Sequence, residues 1–246
     1  MDLKEEEILG TAVSRHWYYV SKGKAIQKLL ELVPVKGILD VGAGSGVFSR
    51  LLLDINVATS ALCVDTGYDF NDKSEIHNGK TIRFVKGVDK IDESLILMID
   101  VLEHIEDDFA VLKYYVDKMP VGGHILISVP AFNFLWSGHD VFLEHKRRYT
   151  LSELETLVEN CGLHVEQGRY FFGLLFPVIA LIRLSKKILL KAGKLSAKSD
   201  LSIPNNFINK LLVFIHALEL RTLFSVNRVA GLSAFCLAKK IQSPVL

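Results

Sequence analysis

The chain has 246 residues, half of them apolar, and a formal net charge of +1. That length supports one α/β domain with a substantial core, and that composition excludes intrinsic disorder. The charge is unevenly spread: residues 170–246 carry 11 Lys or Arg against two acids, Asp200 and Glu219, whereas the part before them is net acidic. Such a split lets one end meet an anionic surface, or lets the two ends attract each other.

Helical periodicity first shows over residues 22–33, with Ile26, Leu29, Leu30 and Val33 on one side and Pro34 and Gly37 as stop signals. GILDVG (37–42) follows as a buried-strand run ending in glycine, and GVFSRLLLD (46–54) as a helix. Further strands are expected at 61–65, 81–87, 94–100 and 124–130, with a helix at 107–118. Thr150 and Glu153 form a capping box that opens a helix over 151–160, with Gly162 just past its end. Residues 163–171 and 232–240 read as the last two strands. The alternation predicts a Rossmann-like seven-stranded, mostly parallel sheet with helices on both faces. Residues 1–171 and 231–246 form the main domain, and 172–230 a helical insertion between the last two strands. A plain antiparallel connection there needs only a few residues.

The three cysteines, Cys63, Cys161 and Cys236, have no metal-type spacing and read as buried small hydrophobes in a reducing compartment. The acidic start MDLKEEEIL is not a secretory leader, so the expected location is cytoplasmic.

Ligands of parallel sheets bind at the carboxyl ends of the strands, and the chemistry-bearing residues fall there. Gly42, Gly44 and Gly46 make a G-x-G-x-G turn between strand and helix, with Asp40 two residues ahead. Val47 stands where the dinucleotide pattern G-x-G-x-x-G wants glycine. That disfavours the alternative of a nicotinamide oxidoreductase. Asp65 ends the second strand, where a carboxylate can accept both hydroxyls of a ribose. Asp89 follows the third strand, where an acid can accept from an adenine amino group, and Asp100 ends the fourth.

LDVGAGSG with Asp40 and Asp65 resembles the cofactor motifs of class I S-adenosylmethionine methyltransferases. IDVLEHIEDD (99–108), HWYY (16–19) and the segment 128–154 with its His-x-Arg-Arg-Tyr-Thr are similar to the branch holding the ubiquinone-biosynthesis O-methyltransferases. The resemblance spans roughly residues 14–170 and the final strand. It implies that Gly42, Gly44 and Gly46 line the methionine and ribose of the cofactor and that Asp40 faces its amino group. It likewise implies that Asp65 holds the ribose, that Val88 and Asp89 meet the adenine, and that Asp100 and Val101 lie under the methionine. One residue separates Gly87 from Asp89 where the family usually has none.

Methyl transfer to a hydroxyl needs a base, and His139 is the first candidate, His145 the second. Asp140 is a candidate for orienting the base. Arg147 suits either a clamp on an anionic substrate or an ion pair anchoring its loop. Asp100, Glu103 and His104 resemble a divalent-metal segment found in some relatives, which makes a metal-assisted variant the other alternative. The Asn/Asp-Pro-Pro-aromatic segment of nucleic-acid methyltransferases is absent, so no nucleic-acid partner is expected. The expected acceptor is a small-molecule, glycan or lipid-linked hydroxyl. In the insertion, 172–182 is apolar and 183–198 basic, which suits peripheral contact with a membrane through 172–198. Apolar residues at 208, 211, 212 and 215 suit a packed helix. Covering the sheet or forming a homodimer interface are the alternative roles of the insertion.

Overall fold

The computed structural model describes residues 9–189 and 203–242. Eight strands form one sheet: β1 (Gly37–Val41), β2 (Ser60–Val64), β3 (Asp72–His77), β4 (Lys80–Val85), β5 (Leu95–Ile99), β6 (His124–Pro130), β7 (His164–Phe171) and β8 (Ser233–Lys239). Their order is β3-β4-β2-β1-β5-β6-β8-β7. The five central strands are parallel, and β3, β7 and β8 pair antiparallel. All seven expected strands are present.

The eighth, β3, was not expected. Its sequence, DKSEIH, is polar because it is an edge strand with mostly exposed side chains. Its signal lies in the turn that follows. Asn78 and Gly79 both take positive φ, 49° and 78°, as a two-residue hairpin turn of the Asn-Gly type requires.

Among the described residues seven helices accompany the sheet: α1 (Trp17–Leu29), α2 (Val47–Asp54), α3 (Asp108–Lys118), α4 (Gly138–Phe142), α5 (Leu151–Asn160), α6 (Phe176–Leu189) and α7 (Asn206–Thr222). The first helix starts at Trp17, ahead of the expected Lys22, because the His16 side chain caps it by accepting the Tyr18 amide. The capping box on α5 forms as expected, with Glu153 Oε2 accepting the Thr150 amide at 2.7 Å.

Alternation along the central strands builds a core on each face of the sheet. Ile38, Leu97 and Leu126 bury against α1 and α2. Leu39, Ile96, Met98 and Ile127 bury on the opposite face against α3 and α5. The three cysteines are buried thiols, and burial pushes all three up, Cys161 to about 11.

Between β7 and β8 the chain forms α6 and α7. The second of these packs in part as its sequence suggested: Leu212 and Ile215 are half-buried, Ile208 and Leu211 are exposed, and the fully buried positions are His216 and Glu219. Polar bonds explain the last two. Glu219 accepts from His216 Nδ1 at 3.1 Å and from the Gly173 amide at 2.6 Å, and His216 stacks on Trp17. The Trp17 amide donates to Asn209 at 2.8 Å. Among the described residues no helix is long and apolar enough to cross a membrane.

Candidate active site

The glycine loop leaves β1 with Gly42, Gly44 and Gly46 at φ of 64°, 53° and 73°. Only glycine adopts this region without strain. A Cβ on Gly42 would stand 2.7 Å from Val101 Cγ2, so Val101, at the end of the neighbouring strand, fixes the path of the loop from below. Asp65 holds the loop from the side: Oδ2 accepts the Gly44 amide at 3.0 Å and Oδ1 the Gly67 amide at 2.9 Å. The carboxylate is partly exposed, which leaves acceptor capacity facing outward. Tyr68, which the sequence did not single out, donates to the Gly44 carbonyl at 2.6 Å and stacks on Phe70.

Asp40 lies beneath the loop, buried, accepting from Ser49 Oγ of α2 at 2.7 Å. Burial raises it to about 6. Val88 is half-buried, its carbonyl taken by Tyr114 and Lys118, and Asp89 is exposed. A glycine turn at a helix start, with a partly exposed carboxylate beside it, fits the amino-acid and ribose parts of S-adenosylmethionine.

Behind the loop, at the carboxyl ends of β5 and β6, a cleft of about 360 Å³ opens. Trp17, Tyr18, Phe172, Ile179 and Ile182 form an apolar side; Asp100, Glu103 and three histidines form a polar one. Asp100 is a non-glycine residue at φ 55°, a conformation that costs roughly 1–3 kcal/mol and turns its side chain away from the strand direction. Its carboxylate accepts from Lys22 Nζ at 2.6 Å and from the Tyr18 hydroxyl at 3.1 Å. Burial pushes Asp100 up, but the charge and hydrogen bonds of Lys22 outweigh it and hold the group below the usual range. Asp100 is thus engaged by α1 while its side chain still lines the cleft. Lys22 was missed, although it lies four residues before Ile26 on the apolar stripe, where a lysine needs a buried partner.

The metal segment is rearranged. The group that comes together is Glu103, His104 and His145, with ligand-type atoms within 4.8 Å of one another. Glu103 is buried, its Oε2 has no hydrogen-bond partner among the described residues, and burial beside anionic Asp100 raises it well above the usual range.

The histidines are set by α4. Asp140, fully buried, accepts from His145 Nδ1 at 3.0 Å and from Arg148 Nε at 2.6 Å, and its second oxygen takes the Ser137 amide. Burial alone would raise Asp140; these bonds and the Arg148 charge reverse that and hold it far below the usual carboxylate range. The Asp140 carboxylate thus bonds His145, five positions away. Both histidines line the cleft, with ring centroids 6.4 Å apart. Arg147 takes the plainer of its two roles: it bonds Asp108 and the Glu106 carbonyl and anchors the loop.

The family model of a methyltransferase domain matches residues 14–167. Among solved structures, an S-adenosylmethionine-dependent methyltransferase from Archaeoglobus fulgidus is 18% identical with a TM-score of 0.53, over 97% of this chain and 98% of that one. The plantazolicin methyltransferase BpumL, solved with a desmethyl-plantazolicin analogue and S-adenosylhomocysteine, is 13% identical with a TM-score of 0.55, over 97% and 89%. A Haloferax volcanii methyltransferase solved with its Trm112 activator is 15% identical with a TM-score of 0.55, over 94% and 93%. At these identities the structures speak for the fold, and the family match speaks for the chemistry. With that match over most of the chain, and a glycine loop and strand-end carboxylates in place on this sheet, the chain belongs to the methyltransferase-domain family and is a class I S-adenosylmethionine-dependent methyltransferase.

Proposed function

We propose that the enzyme methylates a hydroxyl group on a small-molecule, glycan or lipid-linked acceptor. The observation that carries this reading is the buried Asp140–His145 pair beside the cleft. S-adenosylmethionine supplies an electrophilic methyl group when bound. A hydroxyl acceptor needs its proton removed as it attacks, and a neutral histidine does that work. Ionised Asp140 accepts a hydrogen bond from Nδ1–H of His145, which leaves Nε2 as the nitrogen to accept from the substrate. Asp140 then stabilises the imidazolium, the role of an orienting carboxylate. Gly42, Gly44, Gly46 and Asp65 are the residues proposed to hold the methyl donor, with Val101 supporting the loop and Val88 and Asp89 at the adenine end. The apolar side of the cleft suits a hydrophobic acceptor, and we take 172–198 as a peripheral membrane contact on the cytoplasmic side. Residues 190–198 lie outside the described residues. The test is transfer of a labelled methyl from S-adenosylmethionine into lipid and glycan extracts, with the product linkage read by mass spectrometry. A methyl ether supports the reading; a methyl ester or a methylamine overturns it.

A second reading has a divalent ion on Glu103, His104 and His145, favoured by their proximity and by the unpartnered Glu103 oxygen. Activity that is lost on chelation and restored by magnesium would establish it.

A further inference from the structure

Helix α7 presents its apolar residues to solvent. Phe207, Leu211, Phe214 and Leu218 fall at i, i+4, i+7 and i+11, one seam of the helix, and are 77%, 44%, 66% and 49% exposed. A contiguous patch of this kind on a soluble surface marks an interaction site. Lys210 and Arg221 stand exposed along one edge of the seam and form no ion pair among the described residues. The one acid of the helix, Glu219, is fully buried against His216 and Gly173. The solvent face is thus apolar with a cationic edge and no anion.

We infer that α7 seats the protein on an anionic bilayer surface, with the seam in the acyl boundary and Lys210 and Arg221 at the headgroups. Charge decides between the occupants. A second copy would bring the same two cations and no exposed acid on the helix, so a symmetric pairing leaves like charges facing. An anionic lipid layer pairs them and covers the apolar seam together. The position agrees: Asn209 of α7 bonds the Trp17 amide, and Trp17 lines the cleft. The helix that carries the seam therefore packs its opposite face against a residue of the pocket wall. This deepens the reading of a hydrophobic acceptor but is tested without it.

The experiment is flotation of the full chain with phosphatidylcholine vesicles, with and without phosphatidylglycerol, at low salt. The intact protein is expected to float with the anionic vesicles, and Phe207→Ser with Phe214→Ser to reduce the partition roughly tenfold or more. Both side chains are exposed, so S-adenosylhomocysteine binding by calorimetry should be unchanged and verifies the fold. Lys210→Glu with Arg221→Glu should remove the preference for anionic lipid. No flotation of the intact protein, or equal flotation of the Phe variant, overturns the proposal. So does a dimer in light scattering that the Phe variant dissolves while vesicles capture neither protein. None of these outcomes bears on the role of His145.

Discussion

Lys22 and Asp100, 78 positions apart in sequence, meet at 2.6 Å where α1 crosses the end of β5. The lysine side chain is completely buried, whereas Asp100 keeps one side toward the cleft. The pair ties the N-terminal aromatic segment, which lines the pocket, to the strand next to the glycine loop. Removing one partner of a buried pair leaves the other uncompensated, and that is worse than removing both. We therefore expect Lys22→Met to lose about 3 kcal/mol of stability in urea unfolding. Lys22→Met with Asp100→Asn should lose less than the single variant, a coupling that a double-mutant cycle reads directly.

Asp40 gives the stability a pH signature. Burial raises it to about 6 from an ordinary value near 4. A carboxyl group raised in the folded state binds its proton more tightly there than in the unfolded chain. Its contribution is fully present below the unfolded value and is lost as pH rises through about 6. Two units correspond to about 3 kcal/mol. Without methyl donor, Asp40→Asn should therefore gain stability over the wild type at pH 7.5, and the gain should vanish near pH 4. Asparagine can still accept from Ser49. Thermal unfolding of both proteins across that range checks it; a difference independent of pH would contradict the burial argument.

Gly42 and Val101 are expected to be coupled. Gly42→Ala places a Cβ 2.7 Å from Val101 Cγ2 at a φ of 64°, and should cost about 2 kcal/mol and weaken S-adenosylhomocysteine binding. Val101→Ala removes the clash but not the backbone strain, so the double variant should recover part of the loss.

Asp65→Ala removes the acceptor of the Gly44 amide as well as the acceptor proposed for the ribose. Calorimetry with S-adenosylhomocysteine should show a loss on the order of 2 kcal/mol. Unchanged affinity would mean that the ribose is held elsewhere.

The parts visible in the sequence were those with a strong local pattern. Strands β1, β5, β6 and β8 were legible as continuous buried apolar runs, β2 as a short apolar run, and β4 and β7 from β-branched and aromatic residues among polar ones. The cofactor loop was legible because glycine at three alternating positions, with acids at strand ends, has few other uses. The edge strand β3 was lost because its face is polar, although Asn78-Gly79 marked its turn. Lys22 was lost because a charge on an apolar stripe is explained only by its distant partner. The Asp140–His145 pair was not legible, because it depends on a short helix and a loop that carry no periodicity of their own. The packing of α7 was legible only in part: Leu212 and Ile215 follow the regular apolar spacing inward, but the fully buried positions are His216 and Glu219, held by polar bonds.

In the proposed reaction His145, oriented by Asp140, takes the acceptor's proton. The turnover of His145→Gln and His139→Gln on the acceptor identified by label transfer tests this, with S-adenosylhomocysteine affinity measured alongside. Turnover should fall roughly 100-fold or more in His145→Gln and change little in His139→Gln, with unchanged affinity in both. Full activity of His145→Gln, or the large loss falling on His139→Gln instead, would contradict it.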